Sequence, residues 1–481
     1  MTAPLLFCST GLTVVRCSYC SKKTLPNNMK FLSTVLLAAC AVGTTGARVA
    51  PVFSYTQNTI PNQYIVRLRD DVSLQHARRV FEERQLVASE ADFMQVGRTF
   101  RAVSTFLSDS QIAALQQLGD IVEYIEPETT FSTEVEPMDE LEDIEQRLGR
   151  SIRRRLNNDG SVEEDLVEQD CSDTRKNCSW GIDRVDQREQ KLDKVYRHHE
   201  NSGAGVTVYI VDTGVLTWHD DFGDNARFGF DALHKDGKDP SKYSRTDCNG
   251  HGTHVAGTVS SRRFGVAKEA EVVGVRVLGC QGSGSTSNVV KGIEYVTADH
   301  VRRQKKFSVA NLSIGGDKSR ALNEAVDAAS EAGVVMVVAA GNESMDACRR
   351  SPASAETAMT VGATAKSDNK AGFSNFGKCV TINAPGVDIR APSNNGYSRP
   401  PNPDKPLVGS RILSGTSMAA PHVAGAVADF LSQNGLGRRF DDVFAIQKAV
   451  VEQSTPDRCQ GCGRRSGPKT LLATTAAPKM N

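Results

Sequence analysis

Residues 415–425 read Gly-Thr-Ser-Met-Ala-Ala-Pro-His-Val-Ala-Gly. Small and apolar residues recur in this stretch at helical spacing and continue to Phe430, which predicts a buried helix. Gly415 gives the backbone the freedom to turn tightly into that helix. Ser417 would then lie at the positive end of the helix dipole, where unpaired N–H groups can stabilise an anion that forms beside its oxygen. Alone, such a serine is more typical of a helix N-cap than of a nucleophile.

Two further segments change that interpretation. An apolar strand pattern over residues 205–211 ends at Asp212, so a carboxylate is expected where a buried strand gives way to a loop. Residues 249–258 read Asn-Gly-His-Gly-Thr-His-Val-Ala-Gly-Thr, and they place His251 between glycines just before a helix of small residues. The chain thus presents an aspartate, a histidine and Ser417 in the order that the subtilisin triad has.

These three segments resemble the signature sequences of the subtilases, and the resemblance extends from about residue 180 to about residue 454. Three shorter stretches are similar to the proteinase K branch of that family: Gly-Val-Ala-Lys at 265–268, Ser-Pro-Ala-Ser at 351–354 and Ala-Pro-Gly at 384–386. The resemblance implies an α/β fold, a subtilisin-like parallel sheet flanked by helices. The residues indicate the same class, because short buried strand patterns alternate with helical ones.

The resemblance also implies a role for each polar residue. Ser417 would attack the peptide carbonyl and form an acyl-enzyme, while His251 takes its proton and later returns it to the leaving amine. Asp212 would hold the imidazole in the right tautomer and stabilise the imidazolium. Asn342 matches the family's side-chain donor to the oxyanion, and the Ser417 N–H is the second donor. His254 is expected to be structural.

Substrate recognition is implied in the same way. Two segments match the strands between which subtilases hold an extended peptide as an added strand, and they comprise Gly282, Ser283, Gly284, Ser313, Ile314 and Gly315. Main-chain hydrogen bonding of that kind predicts broad specificity. Three residues match the walls of the first substrate pocket: Ala339, Ala340 and Gly341. Such small apolar walls predict cleavage after large apolar or aromatic residues.

Composition limits the classes of function. The 481 residues include 57 basic and 57 acidic side chains, so the chain has no net charge, and its 39% hydrophobic content is ordinary for a globular protein. A neutral chain argues against nucleic acid as a partner. No apolar run is long enough to span a bilayer. The expected partners are protein or peptide substrates, and the processed protein is expected to be a monomer that is not bound to a membrane.

The first 47 residues have the pattern of a leader. A positive start at Met29 and Lys30 precedes a short apolar run to Val42, which is typical of a secretory signal peptide, and small residues predict a cut near Ala47. Because 28 residues precede Met29, we expect translation to start at Met29; a membrane-anchored or mistargeted form is the alternative. The predicted location is therefore extracellular.

Residues 48–131 have the pattern of a separate small domain. Strand, helix, strand, helix and strand patterns follow one another between Ile60 and Phe131, and a capping box at residues 108–111 opens the second helix. This domain resembles the inhibitory propeptide of subtilases, a ferredoxin-like α+β domain that assists folding and then blocks the cleft. The resemblance thus adds the protein's own propeptide to its partners, as an inhibitor.

Composition divides the rest of the chain. Residues 132–170 are acidic and poor in apolar side chains, which predicts a solvated linker. An arginine cluster at residues 150–155 offers a processing site to another protease, whereas self-cleavage in the family would lie nearer Phe131, and the sequence leaves both open. Residues 171–455 form the predicted catalytic domain. Residues 456–481, rich in proline, glycine and arginine, form a predicted mobile tail.

Eight of the 12 cysteines lie beyond the leader, and an even set in an exported protein predicts disulfides. The resemblance suggests the pairs Cys248–Cys280 and Cys348–Cys379. Cys171–Cys178 and Cys459–Cys462 are further candidate pairs, the last as a disulfide rather than a zinc site, because no second cysteine or histidine pair is near. The sequence alone leaves the connectivity open.

No cofactor is expected to be required, and no metal-binding pattern emerges. Relatives in the proteinase K branch bind a structural calcium ion with an aspartate on the strand that leads into residues 384–386, and this chain has Thr381 at that position. A hydroxyl in place of a carboxylate should weaken a calcium site severely. The disulfide at Cys379 would tie the same loop instead.

The leading hypothesis is a secreted subtilisin-like serine endopeptidase made as a zymogen. The alternative is a catalytically silent subtilase that keeps its propeptide bound and works as a protein-binding module. The presence of Asn342 together with all three triad residues favours the protease. A convertase that cuts only at dibasic sites is disfavoured, because no second β-rich domain follows the catalytic one.

Overall fold

The structure is a computed structural model, and it describes residues 48–54, 58–135, 166–173, 178–234, 246–394, 409–437, 440–463, 467–474 and 477. The predicted leader and the arginine cluster lie outside these residues. None of the helices within the described ranges is long and apolar enough to cross a membrane.

A small α+β domain comes first along the chain. Its elements are β1 (Thr59–Leu68), α1 (Leu74–Glu83), β2 (Asp92–Val96), β3 (Phe100–Phe106), α2 (Asp109–Gln116) and β4 (Val122–Thr133). The strands form an antiparallel sheet in the order β4-β1-β3-β2, which is the βαββαβ arrangement of a ferredoxin-like domain. The sequence pattern predicted only three strands. There is a fourth because residues 92–106 fold into a hairpin of two strands.

The second helix of this domain begins as its sequence predicted. Ser108 Oγ accepts a hydrogen bond from Gln111 N, and the Gln111 side chain accepts one from Ser108 N, which together make the capping box. The apolar side chains of both helices pack against the sheet in one core, where Phe81 and Leu115 are fully buried. The small domain therefore has a hydrophobic core of its own.

Strand β4 is longer than predicted, because it continues past Phe131 to Thr133. The predicted acidic linker, residues 132–170, is also too long at its other end. There the chain forms β5 (Leu166–Asp170), which pairs antiparallel with β6 (Val195–His199). The large domain therefore begins before the predicted boundary, since main-chain pairing orders residues whose polar composition suggested a linker.

The large domain contains the remaining helices and strands. In chain order they are α3 (Trp180–Val185), β7 (Thr207–Asp212), β8 (Ala226–Asp231), α4 (His251–Ser260), β9 (Glu271–Arg276), β10 (Ser283–Ser285), α5 (Thr286–Arg302), β11 (Ser308–Leu312), β12 (Ile314–Asp317), α6 (Arg320–Glu331), β13 (Val334–Ala339), β14 (Arg350–Ser351), β15 (Met359–Thr364), β16 (Ile382–Pro385), β17 (Ile389–Pro392), β18 (Ser410–Leu413), α7 (Thr416–Gln433) and α8 (Val443–Gln453). Short 3₁₀ turns span Asp220–Phe222 and Ala347–Arg349.

Seven of these strands form one sheet in the order β16-β15-β13-β11-β7-β9-β8, and every neighbouring pair is parallel. Alternate residues of β7 face different helix layers: Ile210 packs in the core that contains α4 and α7, and Val211 in the core that contains α5 and α6. Helices on both faces explain the unbroken apolar strand sequences. The predicted α/β fold is confirmed. The carboxyl ends of β7 and β13 meet at one edge of the sheet, where functional residues of parallel sheets gather.

Helix α7 is buried along most of its length. Every residue from Thr416 to Leu431 lies in the interior, and the small residues of the sequence allow the helix to pack closely against the sheet and α4. Ser417 is therefore held at the start of a helix whose position the surrounding core fixes.

The prediction of a mobile tail is wrong for the described residues beyond 455. Leu471, Leu472 and Ala473 are each at most 1% exposed. Leu471 exchanges two main-chain hydrogen bonds with Thr455, both at 2.9 Å, and Leu472 N donates to Asn383 O at 2.9 Å. The apolar Leu-Leu-Ala stretch thus packs beside β16 and outweighs the proline- and glycine-rich composition that suggested mobility.

Four disulfides join the cysteines beyond the leader: Cys171–Cys178, Cys248–Cys280, Cys348–Cys379 and Cys459–Cys462. These are the pairs that the sequence analysis proposed. Cys248–Cys280 ties the loop ahead of α4 to the loop ahead of β10. It therefore braces two segments that meet at the site described next.

Candidate active site

Asp212 and His251 form the first contact of the site. Asp212 is the last residue of β7 and His251 the first of α4, and their side chains are 0% and 1% exposed. His251 Nδ1 lies 2.7 Å from Asp212 Oδ1. Because an ionised carboxylate only accepts, Nδ1 carries the proton and Nε2 is the basic nitrogen. Nε2 is buried and has no hydrogen-bond partner among the described residues.

A second carboxylate, that of Asp247, joins the loop after β7 to α4. It is fully buried. Its Oδ1 accepts from Thr213 Oγ1 at 2.9 Å, while its Oδ2 accepts from Thr253 N at 2.8 Å and Thr253 Oγ1 at 2.6 Å. The loop after β7 and the first turn of α4 thus share one anchor. The sequence analysis missed Asp247, although an Asp-x-Asn-Gly run just ahead of a helix is a signal for such a side-chain-bonded turn.

Gly252 allows the same loop and helix to come close together. A Cβ atom at this position would lie 2.1 Å from the carbonyl oxygen of Gly214. Any larger residue would push α4 away from the end of β7, and the Asp212–His251 contact would lengthen.

Ser417 is the second residue of α7 and is fully buried. Its Oγ donates to Ser313 O at 2.9 Å and accepts from Glu134 N at 3.0 Å. Neither bond involves His251. The Ser417 hydroxyl must therefore rotate away from Ser313 before His251 Nε2 can accept its proton.

Asn342 follows β13 and faces the start of α7. Its Oδ1 accepts from both Thr416 N and Thr416 Oγ1 at 2.9 Å, which fixes the orientation of the amide. The remaining Nδ2 is buried and without a hydrogen-bond partner among the described residues. Ser417 N donates to the carbonyl oxygen of Glu134 at 3.3 Å. A side-chain donor and a main-chain donor are thus available at the start of α7. Thr416 orients the first of them, and the sequence analysis did not identify it as a positioning residue.

The end of β4 lies between the two predicted substrate-binding strands. β10 pairs antiparallel with one side of it and β12 with the other, so Ser132 is opposite Ser283 in one pair and opposite Gly315 in the other. Thr133 N also donates to Gly282 O at 3.0 Å. The residues predicted to hold an extended peptide therefore line or directly precede these two strands: Gly282, Ser283, Gly284, Ser313, Ile314 and Gly315.

Glu134 directly follows the last residue of β4. Glu134 is 6% exposed, and a Cβ atom at Gly315 would lie 1.9 Å from Glu134 Oε1, so this carboxylate packs directly against the glycine. The predicted pocket walls, Ala339, Ala340 and Gly341, are buried, and Gly341 N donates to Thr416 Oγ1 at 3.1 Å. The residue held against Gly315 is thus a glutamate, and cleavage after large apolar or aromatic residues stays a prediction.

A polar network holds the pocket segment, residues 339–341, in place. Asn375 Nδ2 donates to Ala340 O at 2.9 Å and to Glu343 Oε2 at 2.6 Å. Arg350 Nη2 lies 2.6 Å from Glu343 Oε1. Nothing in the sequence pattern predicted this network, because its members come from three separate segments of the chain.

The sequence analysis also missed Glu134 as a site residue. The signal lay in residues 129–133, Thr-Thr-Phe-Ser-Thr, whose β-branched and aromatic residues favour a strand. The acidic composition beyond them suggested a linker instead.

His254 has the structural position expected of it. It is fully buried, and its Nε2 donates to Ile389 O at 3.0 Å. Burial lowers the pKa of His254 well below its usual value, because the charged imidazole would lose its hydration. It therefore contributes packing and a neutral hydrogen bond.

Thr381, which the sequence analysis placed where relatives carry a calcium-binding aspartate, has hydrogen-bond partners within the protein. Thr381 Oγ1 accepts from Thr360 N at 3.1 Å, and Thr381 N donates to Thr360 O at 2.8 Å, so the side chain is used within the β15–β16 segment. A hard cation prefers a carboxylate at this position. Within the described ranges, no group of three or more histidine, cysteine, aspartate or glutamate residues could hold a metal ion.

Comparisons with known proteins decide the family. The sequence profile of the subtilase family, peptidase S8, matches residues 203–463. Subtilisin-like protease 6 of Trichophyton verrucosum is 35% identical over 432 residues, which cover 85% of this chain and 90% of that protein. The chain belongs to the subtilase family. It is a hydrolase, a subtilisin-like serine protease.

Other relatives match this subtilase over a shorter range. Alkaline serine exoprotease A of Vibrio alginolyticus is 44% identical over 314 residues, which cover 62% of this chain and 54% of that protein. The match thus spans about half the length of that relative. The crystal structure of a cold-adapted subtilisin-like serine proteinase has a TM-score of 0.55 at 39% identity, and it covers 62% of this chain and 99% of that one.

Proposed function

We propose that this subtilase is a secreted serine endopeptidase, made as a zymogen, that cuts proteins through Asp212, His251 and Ser417. One observation carries the proposal. The carbonyl oxygen of Glu134 accepts from Ser417 N at 3.3 Å, at the end of a strand that pairs with both β10 and β12. A peptide bond is thereby presented to the serine in the manner of a substrate.

In this proposal His251 is the general base. Its Nδ1–H is held by Asp212, so Nε2 can take the Ser417 proton as Oγ attacks the carbonyl carbon. The tetrahedral intermediate collapses to an acyl-enzyme when Nε2 gives that proton to the leaving amine. Water then attacks the acyl carbon, with Nε2 again as the base, and the serine is released.

Two donors stabilise the oxyanion. The Ser417 N–H is one of them, and the buried Nδ2 of Asn342 is the other. Thr416 orients the Asn342 amide, so no reorganisation is needed when negative charge develops on the carbonyl oxygen. Such donors favour the transition state over the bound substrate, which is the condition for a higher rate.

The bond first cut is the Glu134–Val135 bond of the protein itself. After cleavage, residues 48–134 remain docked and block the cleft, so the small domain acts as the inhibitor. Its interface supports this role, since Lys291 Nζ lies 2.6 Å from Asp92 Oδ2 and Arg67 Nε lies 2.8 Å from Glu324 Oε2. The arginine cluster in the acidic segment would then be a second processing site, open to other proteases.

Beyond its own chain, the protease takes extended protein and peptide substrates with broad specificity, because the contacts of β10 and β12 are mainly to the main chain. We also propose that the protease is a monomer and requires no cofactor. It would bind no nucleic acid, and it would not contact a membrane after processing. Export is supported by the signal-like leader sequence and by disulfides in the large domain.

The test is casein hydrolysis by the secreted, processed protein, with and without a serine-directed fluorophosphonate. We expect hydrolysis that the reagent abolishes, labelling at Ser417, and no activity in Ser417→Ala. Ser367→Ala, which changes an exposed serine, should behave as the natural protein. If the chain is instead a silent subtilase that acts as a binding module, neither hydrolysis nor labelling should be observed. The small domain should then stay attached to an uncut chain.

A further inference from the structure

Two glutamates of β4 reach past the small domain into the large one. Glu126 and Glu128 are both fully buried. They lie two residues apart on an extended strand, so their side chains project from the same face at a spacing of roughly 7 Å. They precede Glu134 by eight and six residues respectively.

Glu126 binds the amino end of α6. Its Oε1 accepts from Ser319 Oγ at 2.7 Å and from Ala321 N at 3.2 Å, and its Oε2 accepts from Arg320 N at 3.2 Å. These donors include the N-cap side chain and unpaired N–H groups of the first turn, where the helix dipole also favours a negative charge. The large domain thus provides a complete set of donors for one carboxylate.

Glu128 binds the amino end of α5 in the same way. Its Oε1 accepts from Ser287 N at 2.7 Å. Next to it, Thr286 Oγ1 donates to Thr129 O at 3.1 Å and lies 3.2 Å from Thr129 N, so the strand's main chain is held at the same helix end. A second carboxylate position therefore lies beside the first.

A continuous path joins these two positions to the serine. The strand passes from the helix ends of α6 and α5 directly into the pairing of residues 130–133 with β10 and β12, and Glu134 follows its last residue. With the exception of Ser104 Oγ, which donates to Glu128 Oε2 at 2.9 Å, the named donors all belong to the large domain. They stay with the protease when the small domain leaves.

We propose that the released protease uses this path as an exosite for acidic, extended peptides. It would select substrates that carry glutamate six and eight residues before the residue whose carbonyl is attacked. Glu128 and Glu126 have these positions relative to Glu134. The inference rests on the proposed function, because it names a substrate class for the same cleft. Charge-assisted hydrogen bonds to two helix ends are the source of the selection.

Binding of three labelled peptides to the processed protein from which the small domain has been removed, followed by fluorescence anisotropy, tests the exosite. The first copies residues 124–134, ends at Glu134 and so lacks the bond that would be cut. The second carries Glu126→Gln and Glu128→Gln. The third keeps those two changes and adds Ile125→Glu and Pro127→Glu, which restores the charge on the opposite face of the strand. The unprocessed chain, whose site is filled by its own β4, is the negative control.

We expect the first peptide to bind roughly tenfold more tightly than the second, and the third to gain nothing over the second. The difference should shrink in about 0.5 M salt, because the helix ends are open to solvent before the peptide binds and salt screens their attraction for its charges. Equal affinities for all three would overturn the exosite and leave the glutamates as contacts of the propeptide alone. Cleavage of a separate peptide of residues 130–138, which lacks both glutamates, reports on the proposed function independently of these affinities.

Discussion

The main-chain N–H of Ser417 donates to the carbonyl oxygen of Glu134 at 3.3 Å, and the Glu134 N–H donates to Ser417 Oγ at 3.0 Å. Ser417 thus bonds both main-chain polar groups of Glu134, a residue 283 positions away in the sequence. The strand ahead of Glu134 has main-chain partners on both sides. The chain therefore offers one of its own peptide bonds to its own serine, and this geometry supports the account of a self-processing protease.

Replacing Asn342 by alanine tests the oxyanion assignment. Because Nδ2 has no partner in the present state among the described residues, its loss should affect the transition state far more than substrate binding. We expect kcat to fall roughly a hundredfold to a thousandfold, the loss found when the corresponding donor of subtilisin is removed, with little change in KM. Steady-state kinetics on a peptide substrate measure this, with the exposed Asn369→Ala as control. An unchanged kcat would mean that the oxyanion is stabilised elsewhere.

Lys268 predicts a specific pH dependence of stability. Burial lowers the pKa of Lys268 to about 7, whereas the unfolded chain keeps the ordinary value near 10.4. Between these values the unfolded state binds more protons than the folded state, so this residue makes stability rise as pH increases from about 7 to about 10. Lys268→Met should lose that rise. Melting temperatures across this range measure it, with the exposed Lys448→Met as control; identical pH profiles for the natural protein and Lys268→Met would contradict the assignment.

Removing the Cys348–Cys379 disulfide should destabilise the domain that carries the pocket segment. This bond closes a loop with a separation of 31 residues, whereas Cys459–Cys462 closes one of 3. In the chain-entropy model the double change Cys348→Ser with Cys379→Ser costs about 3 to 4 kcal/mol of unfolding free energy, and the matching change at Cys459 and Cys462 costs about half as much. Denaturant unfolding in a Ser417→Ala background avoids self-digestion. Equal losses for the two pairs would show that loop closure is not the source of the stability.

Calcium removal should have little effect on this protein. Thr381 is bonded within the β15–β16 segment and supplies no carboxylate. We therefore expect EDTA to leave the melting temperature nearly unchanged, whereas Thr381→Asp should make it depend on calcium and Thr381→Asn should not. A large loss of stability in EDTA for the natural protein would show that calcium binds at a different position.

Much of the site was predictable because its residues lie in short local patterns. A strand that ends at Asp212, a glycine-flanked His251 and a small-residue helix that begins beside Ser417 each have a signal within about ten residues. Parallel strands then bring such ends to one edge of a sheet. The positions of β10 and β12 were predicted instead from the resemblance to the subtilases.

The remaining features depend on contacts between distant segments. Glu134 lies in an acidic stretch whose composition indicates a linker, and it becomes ordered only because β10 and β12 pair with the strand before it. Asp247 and Thr416 are ordinary turn and helix residues until the fold places their partners beside them. The tail was mispredicted for the same reason, because Leu471 gains its order from Thr455 and the edge of the large domain.

The most direct test of the account is the identity of the bond that the protein cuts in itself. Intact mass and fragment sequencing of the natural protein and of Ser417→Ala, expressed side by side, determine it. The account predicts that the small domain released from the natural protein ends at Glu134, and that Ser417→Ala stays uncut at that bond. A natural protein whose Glu134–Val135 bond remains intact, or the same cut in Ser417→Ala, would contradict it.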